Sequence, residues 1–254
     1  MLWGVEIWGQ HGSDVRLEWG AEGIEALSED CAVLVIVDVL SFSTTTDLVV
    51  GRGGRVLPLA WRDERAAAAA AEAGAVPAGT VPAKEGEWTL RPSSVVTFPA
   101  GKLLALPSPN GATLCAAAAK TPVHVLVGCL RNASAIAEKA HELGDGRPVG
   151  VIPGGERWGV NLLGGKTFGP LRPCVEDHLG AGAIVAALLR HGRSASAEAK
   201  LAATAYRGTD IGVALLECTS GRELTVGGHG GDVALAAEID VSAHAPTLDK
   251  GVLQ

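Results

Sequence analysis

The chain has 254 residues, 47% hydrophobic and 19% charged, with a formal net charge of −7. This composition excludes a disordered chain and suits a core-forming protein, read here as one α/β domain over 1–254, with a two-lobed arrangement as the alternative. Without a dense Lys/Arg tract, nucleic-acid binding is not expected, although one or two Arg residues suffice for a small anion.

The opening MLWGVEIWGQHG lacks a basic segment followed by an apolar run, so it does not read as a signal peptide. No apolar run approaches the roughly 20 residues of a membrane span, so no membrane association is expected. Five cysteines (Cys31, Cys115, Cys129, Cys174 and Cys218) are scattered, odd in number and free of C-x-x-C spacing. They predict reduced thiols and a cytoplasmic protein.

Along the chain, Val5 to Trp8 is predicted as an exposed strand and Glu22 to Leu27 as a short helix. Ala32 to Val37 is an apolar, β-branched run and reads as a strand buried on both faces. It ends on Asp38, followed by hydroxyls at Ser41, Ser43, Thr44, Thr45 and Thr46 and a helix from Thr44 to about Val50. Arg55 to Ala60 is a strand; the glycines at 51, 53 and 54 precede it and so have the wrong order for a dinucleotide fingerprint. Asp63 to Ala73 is an Ala-rich helix, and Gly74 to Ala100 reads as loop with short edge strands.

Two further strands precede helices: Lys102 to Leu106 before Ala112 to Lys120, and Val123 to Val127 before a helix from Asn132 to about Leu143. Val149 to Ile152 then leads into the glycine-rich 153–159. From Cys174 the chain reads as helical over Ala181–Leu189, Ser194–Tyr206, Ile211–Cys218 and Gly231–Ala237, with an edge strand around Val241. Recurrent strand–turn–helix units predict a parallel or mixed sheet flanked by helices. Apolar terminal strands are compatible with a homodimer.

In open α/β sheets, ligands sit beyond the carboxyl ends of strands and near helix starts. Four junctions offer suitable groups: Asp38 to Thr45, with Ser43, Thr44 and Thr45; Ser108 to Cys115, where Asn110 and Gly111 precede a helix; Gly128 to Ser134, with Arg131 beside Asn132; and Cys174 to Gly182, where Glu176 and Asp177 precede Gly180 and Gly182. Adjacent carboxylates suit Mg²⁺, which takes oxygen ligands. Each junction is equally compatible with helix caps and first-turn acids. The histidines show no metal-site spacing, with His178 and His229 nearest these segments, and Trp158 is placed to cover a pocket.

The ordered blocks DVLSFSTTT, SPNGAT, LRNASAIA, IPGGERWG, LRPCVEDHLGAGAI and SGRELTVGGHGGDVALAAEIDVSAHAP resemble the 2-phosphosulfolactate phosphatase family, from about Val35 to Pro246. The resemblance implies a three-layer α/β/α fold and a Mg²⁺-dependent acid phosphatase. It implies conversion of (R)-2-phospho-3-sulfolactate to (R)-3-sulfolactate, a step toward coenzyme M. It points to Asp38, Asn110, Gly111, Asn132, Glu156, Arg157, Glu176, Asp177, Gly182, Arg222 and Asp232 as the matching polar positions. On that reading, Asp38, Glu176 and Asp177 act as catalytic groups and, with Asp232, as metal ligands. The amides at 110–111 and 180–182 hold phosphate oxygens, and Arg131, Arg157 or Arg222 faces a second anionic group.

Two departures bear on the substrate. The family pattern places Arg-Ala where this chain has Ser41-Phe42, and its early G-E-R and G-N-S-P elements have no clean counterpart in AKEGEWTLRPSS. Leu40 stands where a haloacid-dehalogenase-like phosphatase would carry its second Asp. Three classes stay open: a Mg²⁺ phosphatase for this or another phospho-acid, a non-catalytic anion-binding protein, and another α/β enzyme such as a transferase, for which no nucleotide fingerprint occurs.

Overall fold

A computed structural model describes residues 7–79, 87–159 and 169–254. The first half comprises β1 (Val15–Leu17), α1 (Gly20–Leu27), β2 (Val33–Val37), α2 (Phe42–Gly51), β3 (Arg55–Leu59), α3 (Glu64–Glu72) and β4 (Val76–Pro77). It continues with β5 (Leu103–Pro107), α4 (Gly111–Ala118), β6 (His124–Gly128), α5 (Ala133–Gly144) and β7 (Val149–Pro153). Short strands β8 (Glu156–Arg157) and β9 (Leu171–Arg172) precede α6 (Val175–Leu189), α7 (Ala197–Arg207) and α8 (Ile211–Glu217). The chain then forms α9 (Thr219–Val226), α10 (Gly230–Ala236), β10 (Leu248–Asp249) and β11 (Val252–Leu253).

The central layer is a parallel sheet in the order β1-β7-β2-β6. β2 lies inside it, and the period-2 alternation of a strand divides its side chains between two cores. Val33, Val35 and Val37 join the core under α5, α6 and α7, whereas Leu34 and Ile36 join the core under α1, α2 and α4. All five are fully buried, each stabilising the fold by roughly 1.5–3 kcal/mol through lost apolar surface. This is the expected three-layer α/β/α arrangement. The outer side of α2 and α4 is covered in turn by a second sheet, β10-β11-β3-β5-β4, since both helices pack against β3 as well as the parallel sheet. Leu104 and Leu106 of β5 face these helices, and the intervening Ala105 packs toward Ala66 and Ala70 of α3.

Several expectations need correcting. Ile7–Gly9 is a single 3-10 turn rather than strand, and residues 5 and 6 lie outside the described residues. No strand forms around Val241; β10 and β11 form a hairpin joined antiparallel to β3 through Leu253 and Val56. β1 spans only three residues and shows no periodicity, and the sequence reading names no element over Thr219–Val226, where α9 forms around Gly221. Gly221 fits because its missing side chain admits the Leu215 carbonyl, which an added Cβ would meet at 1.7 Å.

The largest correction concerns α6, which begins at Val175 and not at Ala181. Gly180 and Gly182 looked like a helix start, yet both lie inside the helix at close approaches. A Cβ on Gly180 would stand 2.5 Å from Val39 Cγ2, and one on Gly182 would stand 2.2 Å from the Ala202 carbonyl oxygen. Absence of a side chain lets α6 press against the end of β2 on one face and against α7 on the other.

Candidate active site

Strand ends from both sheets converge at one place. β2 and β7 are in register through Val37 and Pro153, so Asp38 and Gly154 leave the parallel sheet side by side. In the second sheet β3 and β5 are in register through Leu59 and Pro107, and the Ser108 amide donates to the Leu59 carbonyl at 3.0 Å. Ser108 Oγ in turn lies 3.5 Å from Asp38 Oδ2.

Asp38 is buried, and its Oδ2 accepts the Gly111 amide at 2.8 Å. That approach requires glycine: a Cβ at 111 would sit 2.3 Å from Phe42 Cδ1 and 2.9 Å from Asp38 Oδ2. Burial pushes the Asp38 carboxyl up to about 7 despite the opposing Gly111 and Phe42 amides, with Glu156 and Glu176 adding repulsion. Glu156 is also raised, by burial first and by Glu176 further, although it accepts from Asn110 Nδ2 at 3.0 Å and from the Arg157 amide at 3.2 Å.

Glu176 and Asp177 come from the first turn of α6, where the helix dipole favours negative charge. Asp177 accepts the Val39 amide on Oδ1 at 2.7 Å and the Gly155 amide on Oδ2 at 2.8 Å. Burial raises its pKa well above the ordinary value, and Asp38 and Glu176 raise it further. It therefore braces the two loops that leave β2 and β7. The Glu176 carboxyl lies beside the Cys218 thiol, which burial pushes up to about 12 with Glu176 contributing. Four carboxyl groups, Asp38, Glu156, Glu176 and Asp177, thus share one buried region.

The other predicted site residues are placed differently. Ser43 Oγ accepts the Asp38 amide, Thr44 Oγ1 donates to the Val39 carbonyl and Thr45 Oγ1 donates to the Leu90 carbonyl. All three are fully buried, so they shape the loop and are not presented to a ligand. The Gly111 amide serves Asp38, and the Asn110 amide serves Ser108 Oγ at 3.3 Å, so neither is left over for a phosphate oxygen. Gly180 and Gly182, inside α6, offer no helix-start amides.

Arg131 donates to Asp47 at 2.9 Å and also meets Glu238 and the Leu235 carbonyl. Asn132 accepts the Cys129 amide and donates to the His244 carbonyl. Both tie the C-terminal segment down. Asp232 pairs with Arg91 at 2.9 Å and accepts the Ser93 amide. Arg157 forms β8 beside the cluster, and Arg222 is exposed on α9. His178 stacks on Trp19, with ring centroids 6.0 Å apart, and Trp158 is exposed with Arg172 over its ring.

Two cations near the cluster escaped the sequence reading. Arg172 faces Glu156 across the β8–β9 pair and acts on its carboxylate. Arg62 follows the end of β3, and the Asp38 and Glu156 carboxylates act on its guanidinium. Its only signal was position: an Arg three residues past a strand end.

The donor set suits a hard cation, since Asp38, Glu156 and Glu176 offer oxygen and repel one another without one. Among the described residues, however, no three His, Cys, Asp or Glu side chains are grouped as a metal cage. Mg²⁺ in general takes one or two carboxylates, with water and phosphate completing its shell. Asp177 holds the Val39 and Gly155 amides, one on each oxygen, and Asp232 is paired with Arg91.

In an open α/β/α fold ligands sit beyond the carboxyl ends of the strands, and here that place holds buried carboxyl groups. The chain belongs to the 2-phosphosulpholactate phosphatase family, a family of phosphoric monoester hydrolases whose model matches residues 22–251. A comparison with curated proteins found no match. Among the described residues no helix is long and apolar enough to cross a membrane.

Proposed function

We propose that this phosphatase is Mg²⁺-dependent and hydrolyses the monoester of a small phospho-acid, with 2-phospho-3-sulfolactate, named by the family, as first choice. The observation that supports this most is the cluster of Asp38, Glu156 and Glu176 at the meeting point of the two sheets. When bound, Mg²⁺ would neutralise charge on the phosphoryl oxygens. Asp38 and Glu176, with Glu156, are the residues to hold it or to manage protons for the attacking water. In the hydrolysis, the P–O ester bond breaks, water supplies the new P–O bond, and the alcohol oxygen takes a proton. Asp177 keeps the Asp38 and Gly155 loops in mutual position. The buried free cysteines support a cytoplasmic setting.

The test is phosphate release from a panel containing 2-phospho-3-sulfolactate, 2-phospholactate, 2-phosphoglycolate and p-nitrophenyl phosphate, with Mg²⁺ or with EDTA. Mg²⁺-dependent release, highest for a phospho-acid, is expected. No release from any ester would sink the assignment, and thermal stabilisation by phosphate without turnover would favour a non-catalytic anion-binding protein.

A further inference from the structure

A phospho-acid carries a second anionic group, and a site built of carboxylates needs a cation to receive it. The loop from Asp38 to Asp47 contains no Lys or Arg. Arg131 is held by Asp47 and Glu238, and Arg91 is held by Asp232. Arg172 lies over the Trp158 ring, 5.9 Å from its centroid.

Two cations near the cluster are not held in this way: Arg157, on β8 beside Glu156, and Arg62, on the loop after β3. The chain leaves β3 at Leu59, whose carbonyl accepts the Ser108 amide at 3.0 Å, and Ser108 Oγ is 3.5 Å from Asp38 Oδ2. Arg62 is therefore three residues from the strand end that adjoins Asp38. Its neighbour Asp63 does not neutralise it, because both Asp63 oxygens bond Arg65. Arg62 makes no hydrogen bond or ion pair among the described residues and keeps exposed surface. Arginine stays a cation, and the Asp38 and Glu156 carboxylates act on the Arg62 guanidinium.

We propose that Arg62 is the specificity-determining residue that receives the second, non-transferred carboxylate or sulfonate of the phospho-acid. This rests on the phosphatase reading above. A guanidinium on a planar or trigonal anion makes paired charge-assisted bonds, which an ammonium does not reproduce.

The experiment compares wild type, Arg62→Ala and Arg62→Lys on 2-phospho-3-sulfolactate and 2-phospholactate, with p-nitrophenyl phosphate as an ester lacking the second anion. Arg62→Ala should raise KM for the phospho-acids about 10- to 100-fold, with kcat within about threefold. Its kcat/KM for p-nitrophenyl phosphate should stay within about twofold of wild type, and Arg62→Lys should fall between the two. Equal losses on both ester types, or no loss on either, would overturn the assignment. Calorimetric binding of 3-sulfolactate, which has no phosphate, separates the two readings. If no ester is hydrolysed, the phosphatase reading falls, while binding by wild type that Arg62→Ala loses still supports Arg62 as the anion residue. Equal binding by both proteins, or none by wild type, would reject it.

Discussion

Asp177 on α6 accepts the backbone amide of Val39, 138 residues earlier in the chain, at 2.7 Å. Its second oxygen takes the Gly155 amide at 2.8 Å. One side chain thereby joins the loop after β2 to the loop after β7 and sets where Asp38 stands relative to Glu156. Asp177→Ala would leave two buried amides without acceptors, each costing about 1–3 kcal/mol. Melting should fall by roughly 5–15 °C for a chain of this size, and kcat should fall with KM little changed. Differential scanning calorimetry with steady-state kinetics checks both, and an unaltered melting temperature would remove the bracing role.

The helix glycines separate two effects. A methyl on Gly182 meets the Ala202 carbonyl of α7, whereas one on Gly180 meets the Val39 side chain. Gly182→Ala should destabilise by about 1–3 kcal/mol through overpacking against backbone while leaving kcat near wild type. Gly180→Ala should lower kcat as well, because α6 moves away from the loop that carries Asp38. Urea unfolding read beside turnover distinguishes the two, and identical profiles would contradict this division.

Arg131 offers a test of structure against chemistry. Its guanidinium pairs with the buried Asp47, which also accepts Ser242 Oγ at 2.6 Å. Arg131→Ala strands that carboxylate and should cost about 3–5 kcal/mol, much of it the unpaired buried charge. KM for a phospho-acid should be unchanged in the folded fraction at low temperature. A large KM rise without loss of stability would restore Arg131 to the substrate site.

Asp38 predicts a pH dependence. Its carboxyl is pushed up to about 7 in the folded protein by burial and sits near about 3.9 when unfolded. Between those values the folded state holds a proton that the unfolded state lacks, so this contribution is present below pH 4 and lost as pH rises through 7. Asp177 adds in the same direction. Asp38→Asn should flatten the decline between pH 4 and 7 by up to about 4 kcal/mol relative to wild type, measured by urea unfolding at several pH values. Mg²⁺ should flatten it for wild type. Parallel curves for both proteins would show that Asp38 is not raised.

Much of this was visible in the chain. VLVIV ending on Asp38 announced a buried strand with a functional end, and α5 and β7 followed from ordinary apolar patterning. What misled was local chemistry read without neighbours. Ser43, Thr44 and Thr45 look like an anion cradle, yet each hydroxyl is turned to a backbone group of the fold. Gly180 and Gly182 look like a helix start because glycine serves turns and close packing equally well, and only the position of Val39 and Ala202 decides between them.

The sequence by itself determined the α/β class, the strand that delivers Asp38 and, through the order of its blocks, the family. Only the tertiary structure decided which of the polar residues meet. Glu156, Glu176 and Asp177 surround Asp38, while Arg131, Asn132 and Asp232 are spent on holding the chain together. The physical reason is that a buried polar group must find partners within about 3 Å, and those partners are chosen by folding, across distances such as Asp177 to Val39 that no local pattern encodes. Arg62 belongs to the same lesson, since the carboxylates that act on it, Asp38 and Glu156, are remote from it in sequence.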